Sequence, residues 1–395
     1  MSNGDPLISI VIPVFNDAEY LPRALESCIQ QTHGDIEIIV VDDASTDKTP
    51  KIVARYAKKD KRIKSIHHDE NKKTLQAIKT GVLAARGEYI MVVSGDDAFD
   101  TNAVEICERV IRKNQDVDIL HFGRRVIDIE GIVSQELTPA PTMRQGEEIL
   151  DTIFNFVNGS QGSFSNKCWN RRLLEGVFNQ VEPSKPLVLG EDQVVVFLAA
   201  LRAKKYIAIP DIIHNYYFGI GMDGKVNIDL EYFLDYRLSM ADSMDELEKQ
   251  LREMKVKDWA WNHFRALKRE HYAWSACVAE QLNESDKFEA LKAWTERTNP
   301  EDTLIGIANY IPNRFLDEYM AFLEQYRPNG FDMKAYHEII ASIIDMSSMR
   351  MNSLKDELSD VKEENDRLRT ELESYFGIKR SAKMTLGNIR RRLKQ

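Results

Sequence analysis

The stretch that decides the fold reads Ile8-Ser9-Ile10-Val11-Ile12-Pro13-Val14, followed by Phe15-Asn16-Asp17. β-Branched residues fill it up to Pro13, after which Leu21, Ala24, Leu25, Cys28 and Ile29 fall at helical spacing, so it predicts strand, loop and helix. Ile36 to Val41 predicts a second buried strand, and the polar turn from Asp42 to Asp47 leads into a helix from Thr49 to Lys58. A shorter strand is expected at Ile63 to His67, a helix from Thr74 to Ala85 closed by Arg86-Gly87, and a fourth strand at Tyr89 to Val93. Near-continuous apolar strands alternating with helices predict an α/β fold with a mostly parallel sheet covered on both faces.

Composition bounds the rest. A chain of 395 residues, 43% hydrophobic and 29% charged, should fold, and its length suggests two or three units. A net charge of -10 argues against coating nucleic acid along the whole chain. Cys28, Cys107, Cys168 and Cys277 are scattered without a CxxC pair, which indicates neither a disulfide framework nor a thiolate zinc site and fits a reducing, cytoplasmic setting. No apolar run reaches the roughly 18 residues needed to cross a bilayer. Leu7 to Phe15 is too short for a signal peptide and lacks a basic flank.

Ligands of such sheets sit outside the carboxyl ends of the strands. That rule picks out Asp42 and Asp43 after the second strand, and Asp96 and Asp97 in Ser94-Gly95-Asp96-Asp97 after the fourth. Four carboxylates on one edge repel one another unless a cation or hydrogen-bond donors share the site. Each pair taken alone also reads as a helix cap. A further acidic pair, Glu191-Asp192, opens the apolar helix Val194 to Leu201, where the helix dipole favours an ionised base, or again a simple cap.

The expected organisation is a first domain over 1–225, with a donor half of about 1–100 and an acceptor half of about 101–225, then a helical domain over 226–345. Its tryptophans, Trp259, Trp261, Trp274 and Trp294, read as core. His214, beside Tyr216 and Tyr217, reads as packing rather than as an acceptor or metal contact. Over 346–377, Met351, Leu354, Leu358, Val361, Asn365, Leu368 and Leu372 alternate in steps of three and four. This is the pattern of a coiled coil with Asn365 at an a position, which points to a parallel homodimer, with a helix packed back on its own domain as the other reading. The last segment, 378–395, interleaves Lys379, Arg380, Lys383, Arg390, Arg391, Arg392 and Lys394 with apolar residues and holds no acid. It suits an amphipathic helix on an anionic membrane surface, ahead of a solvated tail or RNA.

Taken together, Ile10 to Asn16, Val40 to Asp47, Gly87-Glu88-Tyr89-Ile90 into Gly95-Asp96-Asp97, and Gly190-Glu191-Asp192 resemble the family-2 glycosyltransferases in order and spacing. The resemblance covers about residues 7–220 and implies the GT-A fold and an inverting, nucleotide-sugar-dependent transferase of the bacterial cell-surface glycan type. It puts Asp43 at the uracil or equivalent base, with Asp42 as its neighbour. Pro13 and Phe15 line the nucleotide pocket. Asp96 corresponds to the metal-binding acid of the Asp-x-Asp motif, with Asp97 in support and Mg or Mn as the divalent cofactor. Asp192 resembles the catalytic base, with Glu191 supporting it or binding acceptor. The implied partners are a UDP-sugar donor and a glycan or lipid-linked acceptor at the inner membrane face, with no nucleic acid.

Two departures stand out. Ser94 occupies the place of the first acid of Asp-x-Asp. Lys73 replaces a usual Gly and Ile78 a usual Arg, leaving Lys73 or Lys79 to supply charge to the donor. They keep open a catalytically degenerate sugar-nucleotide binder or dimeric scaffold. Two other classes fit less well. A nucleotidyltransferase calls for a Gly-rich loop after the first strand, and a phospho-acceptor receiver calls for acids after the first strand rather than the second.

Overall fold

Ile10, Val11 and Ile12 are fully buried, as are Ile38, Ile39, Val40 and Val41. Strands this apolar on both faces belong in the middle of a covered sheet. In the computed structural model, which describes residues 6–154, 162–220, 228–310 and 319, the chain alternates β1 (Ile8–Val14), α1 (Leu21–Ile29), β2 (Ile36–Asp42), α2 (Thr49–Lys59), β3 (Ile63–His67), α3 (Lys73–Ala84) and β4 (Tyr89–Val92). The second half adds β5 (Ala98–Phe99), α4 (Ala103–Lys113), β6 (Ile119–Ile127), β7 (Val133–Leu137), β8 (Thr142–Gln145), α5 (Glu148–Ile153), β9 (Lys167–Asn170), α6 (Arg171–Phe178), α7 (Glu191–Arg202) and β10 (Lys205–Tyr217).

The sheet runs β3-β2-β1-β4-β9-β6-β10-β5, with β7 on β6 and β8 on β10. Its first four strands are parallel, so their carboxyl ends share one edge. Pro13 has no N–H to give a ladder, and it lies past the last β1–β4 pair, Val11 with Val92, where none is required. Alternation divides β1 between the two layers. Ile10 and Ile12 enter a core with Leu25 of α1, Val53 of α2 and Val104 of α4, whereas Val11 meets Gly81 of α3 on the other face. Each of these buried aliphatic side chains contributes about 1.5–3 kcal/mol.

Beyond β4 the sheet is mixed rather than parallel. β9 slots between β4 and β6, antiparallel to both, and β5 and β8 run antiparallel to β10. β9 is four residues, Lys167-Cys168-Trp169-Asn170, too short to carry a repeat of either period.

The helical region starts with α8 (Leu230–Tyr232) and a π-helical turn (Phe233–Arg237), then α9 (Ser239–Met254), α10 (Asp258–Cys277), α11 (Glu284–Arg297) and α12 (Pro300–Tyr310). Trp294 is fully buried, edge-on to Tyr272 and Phe233. Trp274 departs from the core reading, being 53% exposed. No helix among the described residues is long and apolar enough to cross a membrane. The coiled coil expected over 346–377 and the basic segment 378–395 lie outside the described residues.

Candidate active site

The shared edge of β3, β2, β1 and β4 gathers the polar residues that follow each strand. Asp42 and Asp43 are both 2% exposed. The Asp42 Oδ1 accepts from the Ser45 N–H at 3.1 Å, and its Oδ2 lies 3.0 Å from His67 Nδ1. Asp43 Oδ1 lies 2.6 Å from His68 Nδ1 and accepts from the Lys72 N–H at 2.9 Å. These donors are what permits two adjacent carboxylates to be buried. Neither histidine was singled out in the sequence. The signal lies in the β2–β3 register, which sets Asp42 opposite His67.

After β1 the chain is tied to the loop after β2. Asn16, in the left-handed region at φ 57°, accepts from the Thr46 N–H at 2.8 Å and gives its own N–H to Ser45 Oγ at 2.9 Å. Phe15, 44% exposed, donates its N–H to Asp17 Oδ2 at 3.1 Å, while Pro13 is buried. Asp17 is a further acid of this edge. Burial pushes its carboxyl up to about 6, against the Phe15 hydrogen bond and with help from Asp47 and Asp42.

The two acids after β4 part company. Asp97, 3% exposed, faces β10, where its Oδ2 lies 3.2 Å from His214 Nε2 and its Oδ1 accepts from the Tyr217 N–H at 3.0 Å. His214 is thus a buried partner packed on Phe99. Asp96 stays with the edge. Its carbonyl accepts from Arg23, whose guanidinium lies 3.4 Å over the Tyr217 ring. Burial, then the charges of Asp97 and Asp17, pushes the Asp96 carboxyl up to about 7. Such a carboxylate fits a hard divalent cation, which would relieve both the desolvation and the like-charge repulsion. Among the described residues, no cluster of three or more His, Cys, Asp or Glu side chains forms a cage. One carboxylate together with substrate phosphates is the usual protein share for Mg.

Ser94 is half-buried beside this acid. Lys73, at the start of α3, is exposed and sits at φ 71°, a backbone state that suits glycine and costs an L side chain about 1–2 kcal/mol. Lys79 is half-buried on α3, and Ile78 is 8% exposed, packed inward.

Glu191 and Asp192 come from the other half of the domain, in the first turn of α7. Gly190 caps that helix at φ 77°, and a Cβ there would come to 2.6 Å from Met240 Sδ of α9. The same loop is clamped by α9, since Leu189 donates its N–H to Ser239 Oγ at 3.1 Å and accepts from Ser243 Oγ at 2.7 Å. The helical region therefore buttresses the turn that carries Asp192. The Asp192 Oδ1 accepts from the Gln193 N–H at 2.8 Å.

Residues 9–165 match the family model described as Glycosyl transferase family 2, so that this part of the chain is similar to the family-2 glycosyltransferases. Glycosyltransferase GlyG of Streptococcus pneumoniae is 38% identical over 117 residues, 29% of this chain and 39% of that protein. Chondroitin synthase of Escherichia coli is 33% identical over 172 residues, 41% of this chain and 25% of that protein. The chain thus spans well under two thirds of these curated relatives. Among solved structures, S. aureus TarS 1–349 in complex with UDP superposes with a TM-score of 0.54 at 19% identity, covering 81% of this chain and 91% of that one. The mixed sheet with flanking helices is the GT-A fold.

Proposed function

We propose that this protein is an inverting glycosyltransferase that moves a sugar from a nucleotide donor, UDP-linked, to a hydroxyl of a glycan or lipid-linked acceptor in cell-surface polysaccharide synthesis. The observation that carries the reading is the row of acids on one sheet edge, Asp42, Asp43 and Asp96, in a domain that resembles this family and has this fold. Asp43, with Asp42 beside it, receives the nucleobase, and Pro13 and Phe15 line the pocket. Lys73 and Lys79 supply charge near the donor from α3. Asp96 holds a divalent ion, Mn or Mg, which when bound neutralises the departing diphosphate. Ser94 offers a hydroxyl next to it, and Asp97 braces the loop against β10. Asp192 takes the proton of the acceptor hydroxyl as its oxygen attacks the anomeric carbon, with Glu191 in support.

The segments outside the described residues complete the proposal. The coiled coil pairs two chains, and the basic segment holds them on the inner face of an anionic membrane, with the domains divided as the sequence predicts.

The test is a panel of UDP- and GDP-linked sugars, each with Mn, Mg or EDTA, scored for binding and for release of the nucleoside diphosphate. One donor bound and consumed only with metal supports the proposal; no binding of any donor refutes it. Binding without consumption, with or without acceptor extracts, favours the degenerate binder, for which the inward-packed Ile78 speaks.

A further inference from the structure

The first helix lies along the chain that carries the proposed metal acid. Arg23 and Ser27 stand four apart on one face of α1, and Gln31 follows four further on, just past its end. Each holds a successive part of residues 96–100. Gln31 Nε2 donates to the Asp100 carbonyl at 2.8 Å, Ser27 Oγ accepts from the Phe99 N–H at 3.2 Å, and the Arg23 guanidinium donates to the Asp96 carbonyl.

Around Asp96 these contacts close into a ring. The Arg23 guanidinium lies 3.4 Å from the centre of the Tyr217 ring, and the Tyr217 N–H donates to Asp97 Oδ1 at 3.0 Å. A planar guanidinium can serve both partners at once, its edge to the carbonyl and its face to the ring. Arg23 Nε is buried with no hydrogen-bond partner among the described residues, so the carbonyl and the ring are what place the group.

The Asp97 N–H donates to the Ser94 carbonyl at 3.1 Å. The planar peptide joining Asp96 to Asp97 is thus held at both its polar atoms, the carbonyl by Arg23 and the N–H by Ser94. On the other side of Asp96, Gly95 is packed so closely that a Cβ there would come to 2.5 Å from Asp17 Oδ2 and 2.9 Å from Val14 Cγ1. With the backbone fixed on both sides, the direction in which the Asp96 side chain leaves it is fixed as well.

We propose that Arg23 is a positioning residue for the metal site: by holding the Asp96–Asp97 peptide between α1 and the end of β10, it aims the Asp96 carboxylate for a divalent cation. The inference rests on the reading of Asp96 as the metal acid, and Arg23 acts through the Asp96 backbone rather than on the ion. Sequence alone carries no signal for it, because 73 residues separate Arg23 from Asp96.

The experiment titrates UDP and GDP by calorimetry, in Mn and in EDTA, into wild type, Arg23→Gln, Asp96→Ala and the double variant. With whichever nucleotide wild type binds, Arg23→Gln should weaken affinity about tenfold or more in Mn and by less than about twofold in EDTA. Added to Asp96→Ala, it should change affinity in Mn by less than about twofold, because the carboxylate it aims is already gone. Equal losses in Mn and in EDTA, or full additivity with Asp96→Ala, mean a structural role only and overturn the proposal, as does wild-type affinity in Mn. If Asp96→Ala keeps wild-type affinity in Mn, or wild type binds neither nucleotide, the metal reading itself has failed and the proposal falls with it.

Tyr217→Leu decides the matter if Arg23→Gln does not fold. It removes the ring beside the guanidinium and keeps the Tyr217 N–H for Asp97. Its loss should again be confined to Mn and reach about threefold or more, the size of one cation–π contact. The same loss in EDTA, or none in either, contradicts the proposal.

Discussion

Asp43 Oδ1 and His68 Nδ1 meet at 2.6 Å across the ends of β2 and β3, and His68 Nε2 goes on to Thr80 Oγ1 at 2.9 Å. The acid proposed to read the nucleobase is thereby anchored to α3 and cannot swing away. Asp43→Ala strands the Lys72 N–H and the His68 ring, which should cost about 1–3 kcal/mol of stability and most of the UDP affinity. Asp43→Asn keeps an acceptor for the Lys72 N–H and should lose affinity more than stability. Thermal unfolding and UDP titration of the two variants check this, and equal UDP affinity in both and wild type would count against the assignment.

The Asp96 carboxyl sits among the charges of Asp97 and Asp17, and a cation there is proposed to link protein and donor. Asp96→Ala should lose about tenfold or more in donor affinity with Mn present and match wild type in EDTA. Titration calorimetry with and without chelator reads both.

Gly87 donates its N–H to Ser9 Oγ at 2.9 Å at the opposite end of β1. A Cβ there would come to 2.7 Å from the Ser9 nitrogen and 3.0 Å from the Ile8 carbonyl carbon, backbone atoms inside the sheet that cannot yield. Gly87→Ala should lower stability by about 1–3 kcal/mol. Gly34→Ala, with nothing within 4 Å of its Cβ, is the control and should leave the unfolding midpoint nearly unchanged.

Glu270 on α10 has its pKa pushed up to about 7 by burial, and its Oε2 has no hydrogen-bond partner among the described residues. The unfolded chain releases this proton at about 4.3. The folded state therefore holds the extra proton between these values, and its stability falls as pH rises through that window. Glu270→Gln should match wild type near about pH 4 and exceed it above about pH 7. Unfolding midpoints at the two ends decide the sign.

The parallel half of the sheet was legible because its inner strands β1, β2 and β4 are short, largely apolar runs rich in Ile and Val, bounded by turn residues. Ile8–Val14 is the predicted strand, and Ile63–His67 coincides as well. The acids at the strand ends followed from the rule that sheet ligands gather there. What each acid touches was not legible. His67 reaches Asp42 only through the register of β2 on β3, and Asp97 turns to His214 on a strand more than a hundred residues away. Local patterns fix elements, whereas partners across a sheet depend on how distant elements stack. The role of α9 in bracing Gly190 is of the same kind.

The most direct measurement follows Asp192. With the donor that turns over, wild type and Asp192→Asn are compared for donor affinity by calorimetry and for sugar transfer or slow release of nucleoside diphosphate. The account predicts unchanged affinity, within about twofold, and a loss of turnover of about a hundredfold or more. Wild-type turnover in Asp192→Asn would contradict it.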